Sequence, residues 1–314
     1  PGDMDATFTR HREPFKRGSM TVQGVGGLPA SVVQLLTLSS SGFPFFGADT
    51  GGYRHSPPDR ELYIRWFQQT ALSPVMQVGD SSSQPPWVFT PDNGRDPAAL
   101  DLYRVYARLH LRLFPYAWTY AQRIAQTGHP IVRPLGLAYP KLDQHPDDQY
   151  LFGEDLLVAP VVDRGATRRS LILPPGRWVD FWDGTQYEAP DAGRKIDVPA
   201  PIERLPLLVR AGAVLPMLRP TIDTLSPATD AGVDSFKNDP GPLSVWVAPA
   251  DAPTTFALYD GTELQQGIRG GVYGLRIAPG KDFQIVNPEW DERYREFWGE
   301  YYRLTQRRGV SQAY

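Results

Sequence analysis

The first part of the chain alternates helical and strand-like hydrophobic patterns. Residues 28–39 repeat apolar side chains at a spacing of 3.6, and residues 59–72 do the same, so each is predicted to form a helix. Residues 43–46 and 74–78 are short apolar runs of the kind that is buried in parallel sheets. This order of strand, loop and helix predicts a parallel β/α fold.

The pattern changes near Pro130. A long helical pattern over residues 96–126, in which Pro115 predicts a kink, precedes it. Short apolar runs separated by proline, glycine and aspartate follow, and this pattern predicts antiparallel β-sandwich strands. The runs are residues 131–132, 156–158, 161–162, 171–173, 178–179 and 207–209.

Three further segments complete the chain. Residues 220–242 contain few apolar side chains and read as a polar linker. Residues 243–283 contain further strand candidates, of which 256–259 precedes a predicted turn at Asp260. Residues 288–314 are predicted to form one amphipathic helix that ends at Gly309.

The composition is that of an ordinary globular protein and excludes several functions. The net charge of the 314 residues is −3 and the basic residues are scattered, so neither a nucleic acid nor a membrane is a predicted partner. Without cysteine there is no disulfide, no thiolate metal site and no cysteine nucleophile, and the five histidines show no HExxH spacing. No metal and no cofactor is predicted.

The composition does not fix the compartment. Because the chain opens at Pro1 rather than methionine, we expect the natural N-terminus to be missing. A bacterial cytoplasmic location and secretion both stay open.

The candidate chemistry consists of carboxylates in loops beside aromatic residues. Asp49 follows the run 43–46 and precedes Gly51 and Gly52. If that run is a barrel strand, Asp49 lies at the edge where barrel enzymes carry their catalytic groups. The alternative is that the glycines form a plain turn and that Asp49 is only a cap or a loop acceptor. Carboxylates among aromatic rings favour a carbohydrate as the ligand.

Six segments, in order, resemble the second half of family 31 of the glycoside hydrolases. The segments are SGFPFFGADTGGY (41–53), ELYIRWFQQTALSPVMQ (61–77), RLFPYAWTYA (112–121), QYLFGEDLLVAPVV (149–162), LPPGRWVDFWDGT (173–185) and LPLLVRAGAVLPM (205–217). The family contains retaining α-glucosidases and α-xylosidases, and the resemblance covers roughly residues 1–283. It implies an α/β plus all-β fold: the C-terminal part of a (β/α)8 barrel, then two β-sandwich domains and a short helical tail.

The resemblance also implies domain boundaries. Residues 1–129 are expected to be the barrel part, 130–218 a proximal β-sandwich domain, 219–286 part of a distal β-domain, and 287–314 the helical tail. The tail does not resemble family 31. It weakly resembles the C-terminal end of bacterial malic enzymes.

The site residues are carried over from the same resemblance. The family's general acid/base is the aspartate of a Trp-x-Gly-Asp segment, to which Pro1-Gly2-Asp3 corresponds, so Asp3 is the catalytic candidate and Asp5 the alternative. Retaining chemistry pairs this acid with a carboxylate nucleophile about 5 Å away. In the family that nucleophile lies on an earlier barrel strand, so we expect it outside this chain and expect the chain alone to be inactive. The predicted substrate-binding residues are Phe46, Asp49, Tyr53, Gln77 and Asp80.

One departure from the family affects specificity. The family carries an arginine and a histidine in an MRxH pattern after its last barrel strand, whereas the sequence from Met76 to Gly79 has neither. Specificity for plain glucose is therefore not predicted.

Two other functions compete with an α-glycoside hydrolase. The chain could be a non-catalytic carbohydrate-binding or scaffold chain, or a fragment that another chain complements. An open barrel edge would expose Leu62, Trp66 and Phe67 and predicts self-association or a complementing chain.

Overall fold

The computed structural model describes residues 4–10, 15–17, 20–22, 26–53, 58–78, 97–260, 271–277 and 284–286. The chain divides into two compact units. The first comprises Pro1–Leu111 and Tyr120–Ala211, and the second comprises Arg112–Thr119 and Gly212–Tyr314. The three boundaries between the four expected domains stay predictions, and the tail 287–314 lies outside the described residues.

Both helices predicted near the start of the chain are confirmed. Helix α1 spans Leu28–Ser40 and helix α2 spans Arg60–Ala71. Pro29 lies in the first turn of α1, where a missing amide costs no hydrogen bond. Asp59 caps α2, because its Oδ1 accepts a hydrogen bond of 3.0 Å from the Leu62 amide. Within the described ranges, no helix has the length and apolar character needed to cross a membrane.

The connections around α2 differ from the predicted strands. Neither 43–46 nor 74–78 is a regular strand, and a single parallel bridge joins Asp49 to Gln77. Pro44 has no amide to donate to a neighbouring strand. Phe43 and Phe45 are 62% and 59% exposed, so the run is not buried on both faces. The prediction of two extended strands is therefore wrong, and a single point of parallel pairing takes their place.

The long helical pattern forms two helices. Helix α3 spans Pro97–Arg112 and helix α4 spans Phe114–Thr127. The chain turns at Leu113, so Pro115 lies in the first turn of α4, where proline is tolerated, and not at an internal kink.

The face of α2 that was expected to be exposed is buried. Leu62, Trp66 and Phe67 have no accessible surface. Two tyrosines of α3 cover this face: the centroid of the Phe67 ring lies 5.4 Å from that of Tyr103 and 5.8 Å from that of Tyr106. The expected exposure of this face is therefore wrong.

The strands of the first unit form three antiparallel arrangements. The hairpin is β1 (Phe15–Arg17) with β2 (Met20–Val22), and the other strands are β3 (Val132–Pro134), β4 (Tyr150–Phe152), β5 (Leu156–Val158), β6 (Arg168–Leu173), β7 (Gly176–Asp180), β8 (Gln186–Ala189), β9 (Arg194–Pro199) and β10 (Leu207–Arg210). A short helix α5 (Leu135–Ala138) follows β3. The six-stranded sheet has the order β3-β4-β5-β10-β7-β8, and β6 pairs with β9.

One hydrophobic core joins the six-stranded sheet to the β6-β9 pair. Leu157, Trp178 and Leu208 from the sheet and Leu171 and Val198 from the pair belong to the same buried cluster. Most runs predicted as strands are confirmed by this arrangement; residues 161–162 are the exception and form no strand.

The second unit contains two small sheets. β11 (Val214–Met217) pairs with β12 (Ser244–Val247), and β13 (Thr254–Asp260), β14 (Gly271–Ile277) and β15 (Gln284–Val286) form an antiparallel sheet. The ring of Tyr116 stacks on that of Phe256 at 5.7 Å.

Residues 220–242 form a hydrogen-bonded loop rather than a linker. Arg219 donates to both carboxylate oxygens of Asp234 and, over 2.9 Å, to the Pro240 carbonyl. A parallel bridge joins Thr224 to Ser235. The sparse apolar content was misleading here, because charged hydrogen bonds join distant parts of the loop and Ile222 is buried.

Candidate active site

Asp49 and Gln77 form the centre of the candidate site. The parallel bridge places them side by side, and Gln77 Nε2 donates a hydrogen bond of 2.6 Å to Asp49 Oδ1. Gly47 permits this pairing, because a Cβ atom at that position would lie 2.0 Å from the Val75 carbonyl oxygen. Asp49 Oδ2 receives no hydrogen bond from any residue that the structure describes, so it can accept one from a ligand hydroxyl.

Thr50 fixes the loop behind Asp49. Its amide donates to the Gln77 carbonyl over 2.9 Å, and its hydroxyl lies 2.9 Å from the hydroxyl of Thr70 on α2. Both threonines are fully buried. Buried hydroxyls need partners, so this pair ties the loop to the helix.

Gly51 and Gly52 form a turn, and Gly52 also leaves room for another segment of the chain. Gly52 donates to the Asp49 carbonyl over 3.0 Å, which closes a turn as the simpler interpretation expects. Both glycines have positive φ, at 91° and 87°. A Cβ on Gly52 would lie 2.7 Å from the Ala6 amide nitrogen, so the glycine lets another segment approach.

That other segment is residues 4–10. We call it the donor segment because it directly follows Asp3, the residue predicted to donate the catalytic proton. The Tyr53 amide donates to the Met4 carbonyl over 2.7 Å, and the Asp5 amide donates to the Gly26 carbonyl over 2.9 Å. Asp5 is only 1% exposed. Asp3 lies outside the described residues, so the choice between Asp3 and Asp5 as the acid/base stays a prediction.

The structure describes four of the six predicted site residues and joins two of them. Asp49 and Gln77 are in contact, Phe46 is buried just before Asp49, and Tyr53, 45% exposed, ends the loop. The other two, Asp3 and Asp80, lie outside the described residues.

Sequence reasoning missed two features of the site. The Thr50–Thr70 pair could not be seen, because no local pattern joins residues 20 positions apart. The exposed rings of Phe43 and Phe45 were also missed, since an apolar run was read as buried. Exposed aromatic rings are surfaces on which a sugar ring can stack.

A histidine of α3 forms a hydrogen bond with the last residue of α2. His110 Nδ1 lies 3.0 Å from the Ala71 carbonyl, so this nitrogen carries the proton and donates. Burial lowers the pKa of His110, and the hydrogen bond to Ala71 opposes that shift only in part. The side chain is therefore neutral near pH 7 and holds α3 against α2.

A separate cleft of about 550 Å³ lies between α1 and the segment around α5. Of the predicted site residues that the structure describes, none lines it. The chemistry of the Asp49 loop identifies the site better than the volume of this cleft does.

Two family models match the chain. The described structure has helices around one parallel bridge, followed by antiparallel sheets. The model "Glycosyl hydrolases family 31 TIM-barrel domain" matches residues 23–120, and "Glycosyl hydrolase family 31 C-terminal domain" matches residues 128–215. Together they match more than half of the chain. The chain belongs to family 31 of the glycoside hydrolases, and it contains part of the barrel domain and the C-terminal domain.

Named relatives agree with this assignment. An isomaltosyltransferase of Sporosarcina globispora is 36% identical over 227 residues, which are 69% of this chain and 19% of that protein. An alpha-xylosidase of Saccharolobus solfataricus is 34% identical over 200 residues, which are 61% of this chain and 26% of that protein. The chain therefore matches about a fifth to a quarter of the length of these relatives.

Solved structures share the fold. The cycloalternan-forming enzyme from Listeria monocytogenes, in complex with a pentasaccharide substrate, superimposes with a TM-score of 0.67 and 29% identity. The match covers 81% of this chain and 23% of that chain. A dextranase of family 31 from Flavobacterium johnsoniae, complexed with glucose, superimposes with a TM-score of 0.64 and 28% identity.

Proposed function

We propose that this chain carries part of the active site of a retaining α-glycoside hydrolase resembling the α-glucosidases, with Asp3 as the general acid/base. The observation that carries the proposal is the hydrogen bond from the Tyr53 amide to the Met4 carbonyl. Met4 directly follows Asp3, so this contact ties the residue next to the proposed acid to the loop that carries Asp49.

Asp49 and Gln77 are the proposed ligands of a sugar hydroxyl. Gln77 orients the Asp49 carboxylate through the 2.6 Å hydrogen bond, which leaves Oδ2 to accept a hydrogen bond from the sugar. Phe46, Tyr53 and Asp80 complete the proposed substrate-binding set. Because the stretch from Met76 to Gly79 has neither the arginine nor the histidine of the family's MRxH pattern, the preferred sugar is proposed to differ from a plain terminal glucose.

The proposed reaction has two steps. Asp3 gives its proton to the leaving oxygen while a carboxylate attacks the anomeric carbon and forms a glycosyl ester. Asp3, now ionised, then takes a proton from water, which attacks the ester and releases the carboxylate. We propose that the attacking carboxylate comes from residues other than these 314, as the family resemblance implies. The 314-residue chain alone is then expected to give no turnover of p-nitrophenyl α-glucoside or α-xyloside.

The second candidate function is transfer of the glycosyl group to the hydroxyl of another sugar instead of to water. It is favoured by one observation: a relative with 36% identity over 69% of this chain is an isomaltosyltransferase. In that case Asp3 would deprotonate a sugar hydroxyl in the second step, and the same residues would bind the donor sugar. Product analysis at high acceptor concentration separates the two outcomes.

The proposal can be tested in a hybrid enzyme. In it, the part of the Saccharolobus solfataricus alpha-xylosidase that precedes its matched region is joined to this chain. We expect Asp3→Ala to lower kcat/KM by about 10²–10⁴ on substrates with poor leaving groups, and by less on activated aryl glycosides, which need little proton donation. Asp5→Ala is the matched control.

Two results would contradict the proposal. If Asp5→Ala shows the leaving-group dependence and Asp3→Ala does not, the acid/base is assigned two residues too early. A folded hybrid that turns over no α-glycoside would contradict the α-glycosidase function itself, since the alpha-xylosidase supplies its own preceding part.

A further inference from the structure

The donor segment contacts the strand-rich region of the first unit, residues 132–210. Arg10 donates two hydrogen bonds to one carboxylate: Nη1 to Asp147 Oδ2 at 2.5 Å and Nη2 to Asp147 Oδ1 at 3.1 Å. Two parallel hydrogen bonds fix the orientation of the guanidinium group as well as its distance from the carboxylate. A single contact between point charges does not fix the orientation. The end of the donor segment is therefore held at a defined place on the strand-rich region.

A second arginine of the strand-rich region reaches the middle of the donor segment. The guanidinium carbon of Arg164 lies 4.8 Å from the centroid of the Phe8 ring. Arg164 Nη2 also donates to Asp59 Oδ2 over 2.5 Å, and Asp59 is the residue that caps α2. Burial raises the pKa of Asp59, but its hydrogen bonds from Arg164 and Leu62 outweigh that effect and lower the pKa below its ordinary value.

The start of the donor segment is held on its other side by the Asp49 loop. The Met4 carbonyl accepts from Tyr53, and the backbone from Asp5 to Ala6 packs on Gly52. The segment thus has three attachments. Backbone contacts hold its start to the site loop, and side-chain contacts hold Phe8 and Arg10 to the strand-rich region. Between them, backbone hydrogen bonds join the segment to residues 26–28: the Asp5 amide donates to the Gly26 carbonyl, and the Leu28 and Gly27 amides donate to the Thr7 and Thr9 carbonyls.

We propose that Arg10 and Arg164, together with Asp147, are positioning residues through which the strand-rich region sets the place of the donor segment against the Asp49 loop. The catalytic meaning of this inference rests on the proposed function, since Asp3 directly precedes the segment. The side chains of Arg10 and Asp147 are 41% and 52% exposed. Exposed pairs add little to global stability, so the pair is expected to act on the position of the segment and not on unfolding.

The first test uses the 314-residue chain itself. The Tyr53 amide is hydrogen-bonded to Met4 at the start of the donor segment, so its hydrogen exchange reports on the attachment that lies away from Arg10. Asp147→Asn should make hydrogen exchange at the Tyr53 amide about two- to fivefold faster, as expected for the loss of one exposed ion pair. Asp183→Asn is the matched control: its partner Arg204 is 41% exposed and Asp183 is 42% exposed, and no described hydrogen bond or ion pair joins either residue to the donor segment.

Charge reversal tests whether the pairing itself matters. The double variant Arg10→Asp with Asp147→Arg should restore slow exchange at Tyr53, whereas either single variant should not. Unchanged exchange at Tyr53 in both Asp147→Asn and Arg10→Ala would overturn the inference, and so would an equal effect of Asp183→Asn.

The hybrid enzyme supplies the catalytic readout. Asp147→Asn should lower kcat about two- to fivefold on poor leaving groups, change it less on activated aryl glycosides, and leave KM unaltered. An equal loss on all leaving groups would contradict a positioning role. If Asp3→Ala shows no leaving-group dependence while Tyr53 exchange still responds to Asp147→Asn, the proposed function fails and the attachment of the segment stands.

Discussion

Gln77 Nε2 lies 2.6 Å from Asp49 Oδ1, although 28 positions separate the two residues in the chain. The contact exists because a parallel bridge aligns the two segments at these residues. A neutral amide hydrogen bond of this kind fixes the carboxylate without neutralising its charge. Asp49 therefore stays an acceptor that is oriented for a ligand.

The first prediction concerns this contact in the hybrid enzyme. A hydrogen bond to a charged group contributes about 1.5–3 kcal/mol, so Gln77→Ala should raise KM by roughly 10- to 100-fold. Gln77→Glu should place a second carboxylate beside Asp49 and make binding weaken as pH rises. A KM in Gln77→Ala equal to that of the unsubstituted hybrid would show that the pair does not hold the sugar.

The second prediction concerns the buried hydroxyls of Thr50 and Thr70. Thr50→Val removes one of two paired hydroxyls and should lower the free energy of unfolding by about 1–2 kcal/mol in urea titrations. Adding Thr70→Val should cost less than the sum of the two single changes, because the pair is already broken. Strict additivity would mean that the hydroxyls do not interact.

Gly52 carries the third prediction, for which Gly42 is the matched control. Their φ angles are 87° and 89°, but a Cβ on Gly42 meets no atom within 4 Å, whereas one on Gly52 lies 2.7 Å from the Ala6 nitrogen. Both alanine variants incur the same backbone strain. Gly52→Ala should therefore lower the free energy of unfolding by about 1–3 kcal/mol more than Gly42→Ala, as overpacking does elsewhere. Equal losses would show that the donor segment does not pack there.

The fourth prediction is a pH dependence from His110. Burial holds its folded-state pKa below the ordinary value near 6.5, so the unfolded chain binds the proton first as pH falls. The stability that neutral His110 contributes is complete above about pH 6.5 and is lost as pH falls through that value towards the folded-state pKa. His110→Asn should flatten this part of the stability curve. A curve unchanged by His110→Asn would contradict the assignment.

Periodicity predicted the first two helices well, and the cap at Asp59 explains where the second one begins. The repeat that includes Leu28 and Val32 requires one buried face, and Asp59 marks a helix start, so α1 and α2 follow from local physics. The apolar run 43–46 did not become a strand, because Pro44 cannot donate and the rings of Phe43 and Phe45 stay exposed. An apolar run alone does not say which element pairs with it.

The candidate site, like the fold, could be predicted only in part. Motif resemblance identified Asp49 and Gln77 one at a time, and both belong to the same contact. What could not be predicted is the partner of each group, such as Thr70 for Thr50 or Asp147 for Arg10, since these depend on tertiary packing across 20 and 137 positions. Likewise, nothing local in α2 indicates that α3 covers its apolar face.

The most direct test of the central claim is the anomeric form of the azide product in the Asp3→Ala hybrid. Azide needs no general base, so it should attack the glycosyl ester from the face that Asp3 serves and give an α-glycosyl azide with retained configuration from an activated α-glycoside. Proton NMR of the product distinguishes the anomers. A β-glycosyl azide would contradict the account, because it would show that Asp3 is the nucleophile that azide replaces, and the absence of any glycosyl azide would remove Asp3 from the reaction.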